Sequence, residues 1–158
     1  MATHEFKGFT INQADVKIRI DLDRMTHNFN KAQYSLDSMV MNSMIPYMPM
    51  QDGTFINQTR AKSAAMAGSG EVCAGVAPQG RFLYEGKTMV DEKTGSPWAR
   101  KAAKKVLVSQ YTGKTQAKEN LVFSTKHHPN AQAHWFEVAK KADGASQVKT
   151  VKRIAGGG

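Results

Sequence analysis

The first third of the chain changes from a two-residue to a helical spacing of apolar positions. Residues 16–20, VKIRI, alternate apolar and charged side chains, which is the pattern of a half-buried strand. Apolar side chains then recur at three- and four-residue steps, as on one face of a long helix. These positions are Leu22, Met25, Phe29, Ala32, Leu36, Met39 and Val40. We expect Asp21 or Asp23 to cap this helix and Pro46 to end it.

The middle of the chain has shorter patterns separated by turn residues. Two prolines in PYMPMQDGTFINQT predict an extended segment, and RAKSAAMAGSG is typical of a surface loop or a frayed helix. We predict short strands at residues 71–77, 87–91, 106–109 and 121–125. Tight turns between them favour antiparallel pairing.

A second helical pattern follows His128-Pro129, with Asn130 as its cap and Gly144 near its end. The order of elements predicts an α+β fold, with a long N-terminal helix and a C-terminal helix packed on a small antiparallel sheet. We divide the chain into an N-terminal arm at 1–14, an α+β domain at 15–143 and a basic, flexible C-terminal tail at 144–158.

Charge is distributed unevenly along the chain. Residues 1–92 hold 9 Lys and Arg against 10 Asp and Glu, a balance of −1, whereas residues 93–158 hold 13 against 3, a balance of +10. Such asymmetry favours contact with nucleic acid or with an acidic protein face, although a basic surface that only aids solubility is the simpler alternative. No apolar run is long enough to span a membrane, so we expect no membrane contact.

Motifs of known enzyme sites are missing from the sequence. The two GKT tripeptides lack the preceding glycine of a phosphate-binding loop, and AGSGEVCAG does not lie between a predicted strand and a helix. Cys73 has apolar neighbours, as expected of a small buried residue rather than a nucleophile. We therefore predict a protein that is not an enzyme, with no catalytic residues and no cofactor.

The segment KHHPNAQAHWFEVAKKA, residues 126–142, allows a metal site, a nucleic-acid contact or a hydrophobic anchor. A zinc site needs three or four converging ligands, and adjacent histidines point in different directions, so we predict no metal. Neighbouring helix positions lie about 100° apart. We therefore expect either Trp135 or Phe136 to enter the core and the other to flank it or meet a partner.

Methionines cluster around the end of the long helix and the proline-containing segment. Met39, Met41, Met44, Met48 and Met50 suit either an irregular core or an adaptable contact surface. Met41 lies off the face set by Leu36 and Val40, which favours an interface for that residue.

Four stretches carry a resemblance to one family: VKIRIDLDRM leading into AQYSLDSMV, PYMPMQDGTF, APQGRFLYEGKTMVD with TGSPWARK, and HHPNAQAHWFEVAKK. In order and spacing they resemble the minor capsid, or neck, proteins of long-tailed bacteriophages, which are related to tail-completion proteins. The resemblance covers roughly residues 15 to 142. Gln79 and Gly80 depart from the more usual proline and alanine, and His134 stands where a Phe or Pro is common.

The resemblance implies a structural virion protein of the neck, a ring component that joins the head connector to the tail. It implies a homo-oligomeric ring, a hexamer or else a dodecamer, assembled in the host cytoplasm against head-closure or connector proteins and tail-terminator or tail-tube proteins. Genomic DNA would pass nearby without specific binding. The residues that we expect at contacts are Met48, Met50, Phe55, Trp98, Lys104, Lys105, Trp135, Phe136, Lys152 and Arg153. The alternative is a small basic nucleic-acid-binding protein.

Overall fold

Helix α1, Asp23–Met44, follows the apolar spacing of the N-terminal third. The structure is a computed structural model that describes residues 5–13, 15–98, 100 and 102–156. The Asp21 carboxylate accepts the backbone N–H of Asp23 at 3.0 Å, so the predicted cap is confirmed. At the other end Pro46 lies in a 3-10 turn, Ile45–Tyr47, as predicted for a residue that cannot continue the helix.

An antiparallel hairpin precedes α1. Strand β1, Phe9–Gln13, pairs with strand β2, Val16–Ile20, with Phe9 opposite Ile20 and Ile11 opposite Ile18. β2 is the strand that the alternating VKIRI pattern predicts. β1 lies in the segment predicted as an N-terminal arm, so the described part of that arm is largely a strand.

Two helices lie where the sequence predicts other structure. α2, Thr54–Ala65, covers most of a segment predicted as extended or frayed. The Asp52 carboxylate accepts the Thr54 N–H at 3.0 Å, and this capping interaction starts the helix. The short helix α3, Gly80–Glu85, ends at Gly86, which has the left-handed backbone conformation (φ +66°) that favours glycine.

The second sheet also has two strands. β3, Met89–Asp91, pairs antiparallel with β4, Lys105–Leu107, close to two of the predicted strands. The strand prediction at 121–125 is wrong, because these residues form no strand, and the bridge between Lys87 and Asn120 ends just before them. The α+β class is confirmed, although the described residues form two separate two-stranded sheets rather than one.

The strand predicted at 71–77 is also wrong. The backbone N–H and C=O of Cys73 both bond to the Ser63 hydroxyl, each at 3.1 Å. The C=O of Ala74 accepts a bond from the indole N–H of Trp135. Backbone groups that are satisfied by side chains are not available for a strand ladder, so this segment is irregular despite its apolar content.

Helix α4, Trp135–Ala155, begins later and ends later than the pattern predicts. It does not start at Asn130, because the turn before it is tied down by bonds from the Gln132 N–H to the Tyr47 C=O and from the His134 N–H to the Tyr84 C=O. It does not end near Gly144, since one glycine costs a helix only ~1 kcal/mol. Residues 144–155 are therefore helical rather than a flexible tail.

The described chain divides into two compact units. One contains Met1–Ser43, Arg60–Cys73 and Ala139–Gly158, and the other contains Met44–Thr59 and Ala74–Val138. We call them the hairpin unit and the loop unit. The hairpin unit buries Ala32, Met41 and Ala139, and the loop unit buries Met48, Val90 and Trp135. The predicted division at residues 14 and 143 stays a prediction.

Among the helices that the structure describes, none is both long enough and apolar enough to cross a membrane.

Candidate interaction surfaces

Trp135 is a core residue of the loop unit. Its side chain is fully buried, and its Nε1–H donates to the C=O of Ala74 at 2.9 Å. The rings of Tyr84 and Phe55 lie edge-on to it, with centroids 4.9 and 6.2 Å away. The prediction of Trp135 as a contact residue is therefore wrong, because a side chain with no exposed surface offers none to a partner. Phe136 is 36% exposed and stays accessible, which confirms that one aromatic of the pair enters the core and the other flanks it.

Two histidines of the same segment lie close to polar groups of the loop unit. The Nδ1 of His128 lies 2.8 Å from the C=O of Met48, and the Nε2 of His134 lies 3.8 Å from a carboxylate oxygen of Glu85. Within the described ranges, no three His, Cys, Asp or Glu side chains lie together as metal ligands would.

Met48 is fully buried, so the prediction of this residue as a contact is also wrong for the reason given for Trp135.

Tyr84 joins α3 to the first turn of α4. Its hydroxyl donates a short hydrogen bond to Oε2 of Glu137. Partial burial raises the pKa of Tyr84 above its ordinary value, and the hydrogen bond to the negatively charged Glu137 raises it further. The phenol therefore stays protonated and acts as a hydrogen-bond donor that holds the two helices.

A buried carboxylate organises the β3–β4 loop, residues 92–104. Asp91 has no exposed surface, and its oxygens accept the backbone N–H groups of Lys93 at 2.8 Å and Thr94 at 3.1 Å. The Nε and Nη2 of Arg100 donate to the two oxygens of the same carboxylate at 3.1 and 3.2 Å. The hydrogen bond from Arg100, together with those from the loop amides, holds the pKa of Asp91 well below its usual range. An ionised side chain at the base thus fixes the path of the loop.

Trp98 stands out from this loop with 87% of its surface exposed. Its backbone N–H donates to the Ser96 hydroxyl at 3.1 Å, and the Ser96 C=O accepts the Asp91 N–H at 2.8 Å. The Lys105 ammonium lies 3.4 Å from the C=O of Pro97. Hydrogen bonds therefore hold the backbone that carries the exposed indole, and basic residues lie close by in the sequence.

Three of the predicted contact residues belong to this region. Trp98 and Lys104 lie on the loop, and Lys105 begins β4; all three are exposed. Lys104 makes an exposed ion pair with Glu92 at 3.3 Å. We call Trp98, Lys104 and Lys105 the Trp98 surface.

Met50 and Phe55 are half-buried and line an open cleft of about 680 Å³. Leu83, Leu121 and Phe123 form other parts of its wall. The cleft leaves both predicted residues reachable from solvent. Lys152 and Arg153, also predicted as contacts, are exposed near the C-terminal end of α4, where positive charge is favourable.

Met41 was expected at an interface and is buried instead. It is only 5% exposed, and its sulfur lies 3.2 Å from the Ser63 hydroxyl within the hairpin unit. The departure of Met41 from the apolar face of α1 thus reflects packing against Ser63, in the last turn of α2.

The hairpin has an uncovered apolar face that the sequence interpretation missed. The side chains that share this face are each between 38% and 59% exposed: Phe9, Ile11, Val16, Ile18 and Ile20. Thr10, Asn12, Lys17 and Arg19 occupy the other face. The signal was present, because FTINQ repeats the alternation of VKIRI seven positions earlier.

Comparison of the chain with protein-family models, curated proteins and solved structures found no match. The case for a function therefore depends on the chain's own residues and motifs.

Proposed function

We propose that the protein is a structural virion protein of the phage neck, a ring component that joins the head connector to the tail. The observation that carries the proposal is the exposure of Trp98 on a loop clamped by the buried Asp91. Tryptophan and arginine are enriched among the residues that dominate binding energy at protein interfaces. A braced loop has less conformational freedom to lose when its tryptophan is buried by a neighbour.

The apolar face of the hairpin supports the same proposal. A two-stranded hairpin is only marginally stable in water unless its apolar face is covered. Five exposed apolar side chains on ordered strands are typical of a surface that becomes buried on assembly. Each copy in a ring meets two neighbours and therefore needs two contact surfaces. In the proposed ring these are the hairpin and the Trp98 surface.

The chemistry of the chain supports an assembly role over an enzymatic one. The pKa of Tyr84 is raised and that of Asp91 is lowered, and each side chain is bonded within the fold, to Glu137 or to Arg100. The proposed partners follow from the resemblance of the four motifs to neck proteins. They are further copies of the chain in a hexamer or dodecamer, with head-closure or connector proteins on one side and tail proteins on the other.

The test is assembly of purified protein with the connector and tail proteins of the same phage. We expect sedimentation velocity and electron microscopy to show rings that include this subunit. Trp98→Ala should weaken assembly by about 30-fold or more, the effect of losing ~2 kcal/mol at an interface. The matched control is Tyr34→Ala, which removes another exposed aromatic (58% exposed) and should leave assembly within about threefold of wild type.

Failure of the wild-type protein to enter a complex would contradict the proposal. So would a particle whose head–tail junction is complete without the subunit. Equal loss of assembly in Trp98→Ala and Tyr34→Ala would remove the Trp98 surface from the argument.

A nucleic-acid-binding role is the second candidate, and the helical state of residues 144–155 favours it. Lys149, Lys152 and Arg153 are exposed on a regular helix at a spacing of three and four residues, so they share one face, and such clustering is typical of contact with a phosphate backbone. Under this alternative, affinity for duplex DNA falls log-linearly with salt at a slope of several charges. A salt slope near zero would exclude it.

A further inference from the structure

Two adjoining clefts of the loop unit share part of their lining. Their volumes are about 690 and 630 Å³, and their walls share Phe82, Lys87, Met89 and Lys105. α3, β3 and β4 supply part of the lining, and residues outside these elements supply the rest. We call the combined cleft the basic groove.

The groove has an apolar floor. Phe82, Leu83, Met89, Val106 and Leu107 line it, and each of these side chains is partly exposed rather than buried. Covering such a floor with apolar side chains of a partner is favourable at roughly 25 cal/mol for each Å² removed from water. Phe82 is the only aromatic residue in the lining.

The rim is basic. The charged side chains among the described lining residues are those of Arg81, Lys87, Arg100, Lys104, Lys105 and Glu85. Asp91, Glu92 and Glu119 pair with three of these cations, so the balance over the whole set is 5 − 4 = +1. Arg100 is committed to the buried Asp91 at the base of the loop.

The remaining cations of the rim are open to new partners. Lys87 pairs with Glu119 at 3.2 Å, and Lys104 pairs with Glu92 at 3.3 Å, with all four side chains substantially exposed. Exposed pairs of this kind add little stability, so an incoming carboxylate can replace them. Arg81 and Lys105 make no ion pair with any described residue.

We propose that the basic groove binds an acidic, amphipathic polypeptide segment of a partner protein. Charge complementarity between the cationic rim and Asp or Glu side chains would orient the segment, and its apolar residues would cover the floor. A single-stranded nucleic acid fits the groove less well, because sequence-tolerant strand binding uses several aromatic side chains on which successive bases stack. This inference goes beyond the neck proposal, since it names the chemistry of a partner and does not depend on a ring.

The probe is a fluorescein-labelled 12-residue peptide with two Glu for each Leu, titrated with full-length protein and followed by anisotropy. The double variant Arg81→Glu with Lys105→Glu should weaken binding by about tenfold or more, because both exposed rim cations become repulsive. The matched control, Lys149→Glu with Lys152→Glu on α4, makes the same change in net charge outside the groove. It should change binding by less than about threefold. Circular dichroism of all variants checks that folding is unchanged.

Two further ligands separate the proposal from its alternatives. A peptide with Ser in place of Leu should bind at least about tenfold more weakly, because it cannot cover the floor. Equal binding of the Ser peptide, equal loss in both double variants, or no binding of the Leu peptide would overturn the inference. Tighter binding of a 12-nucleotide oligo-dT, lost in the groove variant alone, would overturn it in favour of a nucleic-acid site. Lys105 belongs to both the groove and the Trp98 surface, but peptide binding is measured without ring partners, so the neck proposal keeps its own test with Trp98→Ala.

Discussion

Replacing Trp135 with Ala should be among the most destabilising single changes in this chain. The side chain is fully buried, and truncation of a buried Trp costs ~3–5 kcal/mol through lost burial and the cavity left behind. The change also leaves the C=O of Ala74 without its indole donor, which places the expected loss in the upper part of that range. Domains of this size have a free energy of unfolding of ~5–15 kcal/mol, so the variant would lose about a quarter of it or more.

The measurement is urea unfolding followed by far-ultraviolet circular dichroism. With a slope of roughly 2 kcal/mol per molar urea, a loss of ~4 kcal/mol lowers the unfolding midpoint by about 2 M. Trp135→Phe keeps most of the ring but not the N–H donor, and it should fall between wild type and Trp135→Ala. Trp98→Ala is the matched control, since an indole that is 87% exposed should contribute less than about 0.5 kcal/mol.

A midpoint shift below about 0.5 M in Trp135→Ala, with native-like secondary structure, would refute the core role of Trp135. A larger shift in Trp98→Ala than in Trp135→Ala would refute it equally. Unchanged unfolding together with lost assembly would return Trp135 to the interface.

Three further outcomes test other parts of the fold. The pKa of Asp91 is lower in the folded protein than in the unfolded chain, where it is about 4. The carboxylate therefore stabilises the fold above about pH 4, and this contribution is lost as the pH falls below that value. Asp91→Asn should reduce the difference in urea midpoint between pH 7 and pH 3. Asp37→Ala should cost ~1–3 kcal/mol and speed amide exchange in the loop after α2, because the buried Asp37 carboxylate accepts the N–H of Gly68 at 2.7 Å; unchanged exchange rates would contradict this role. Gly144→Ala should raise the free energy of unfolding by ~0.5–1 kcal/mol, since an added Cβ meets nothing closer than 3.7 Å; a lower thermal midpoint would argue against a continuous α4.

Elements with a clear local pattern were predicted from the sequence. α1 and β2 have complete apolar periodicity and a capping or turn residue at their ends, so local rules were sufficient for both. α2 was missed because its apolar positions show little helical periodicity, and the cap formed by Asp52 resembles an ordinary turn in the sequence. The end of α4 was misplaced because a glycine within a helix and a glycine after one look alike when only their neighbours in the chain are known.

Of the predicted contact residues, some are exposed and others are buried, and local sequence patterns do not separate the two groups. Exposure of Trp98 depends on Asp91 and Arg100, two residues nine positions apart whose pairing no local pattern indicates. Burial of Trp135 and Met48 depends on groups far along the chain, such as the Ala74 C=O and the Nδ1 of His128. The sequence identified which side chains have the chemistry for a contact, and only long-range packing separates those that face solvent from those that fill the core.

The cationic face of the hairpin bears on how copies of the chain avoid sticking to one another. Lys17 and Arg19 alternate with the apolar positions of β2, at an edge where another strand would otherwise pair freely. Bringing two such edges together places like charges side by side, which disfavours strand pairing between copies. The two cations therefore protect an exposed apolar hairpin from growing into fibres.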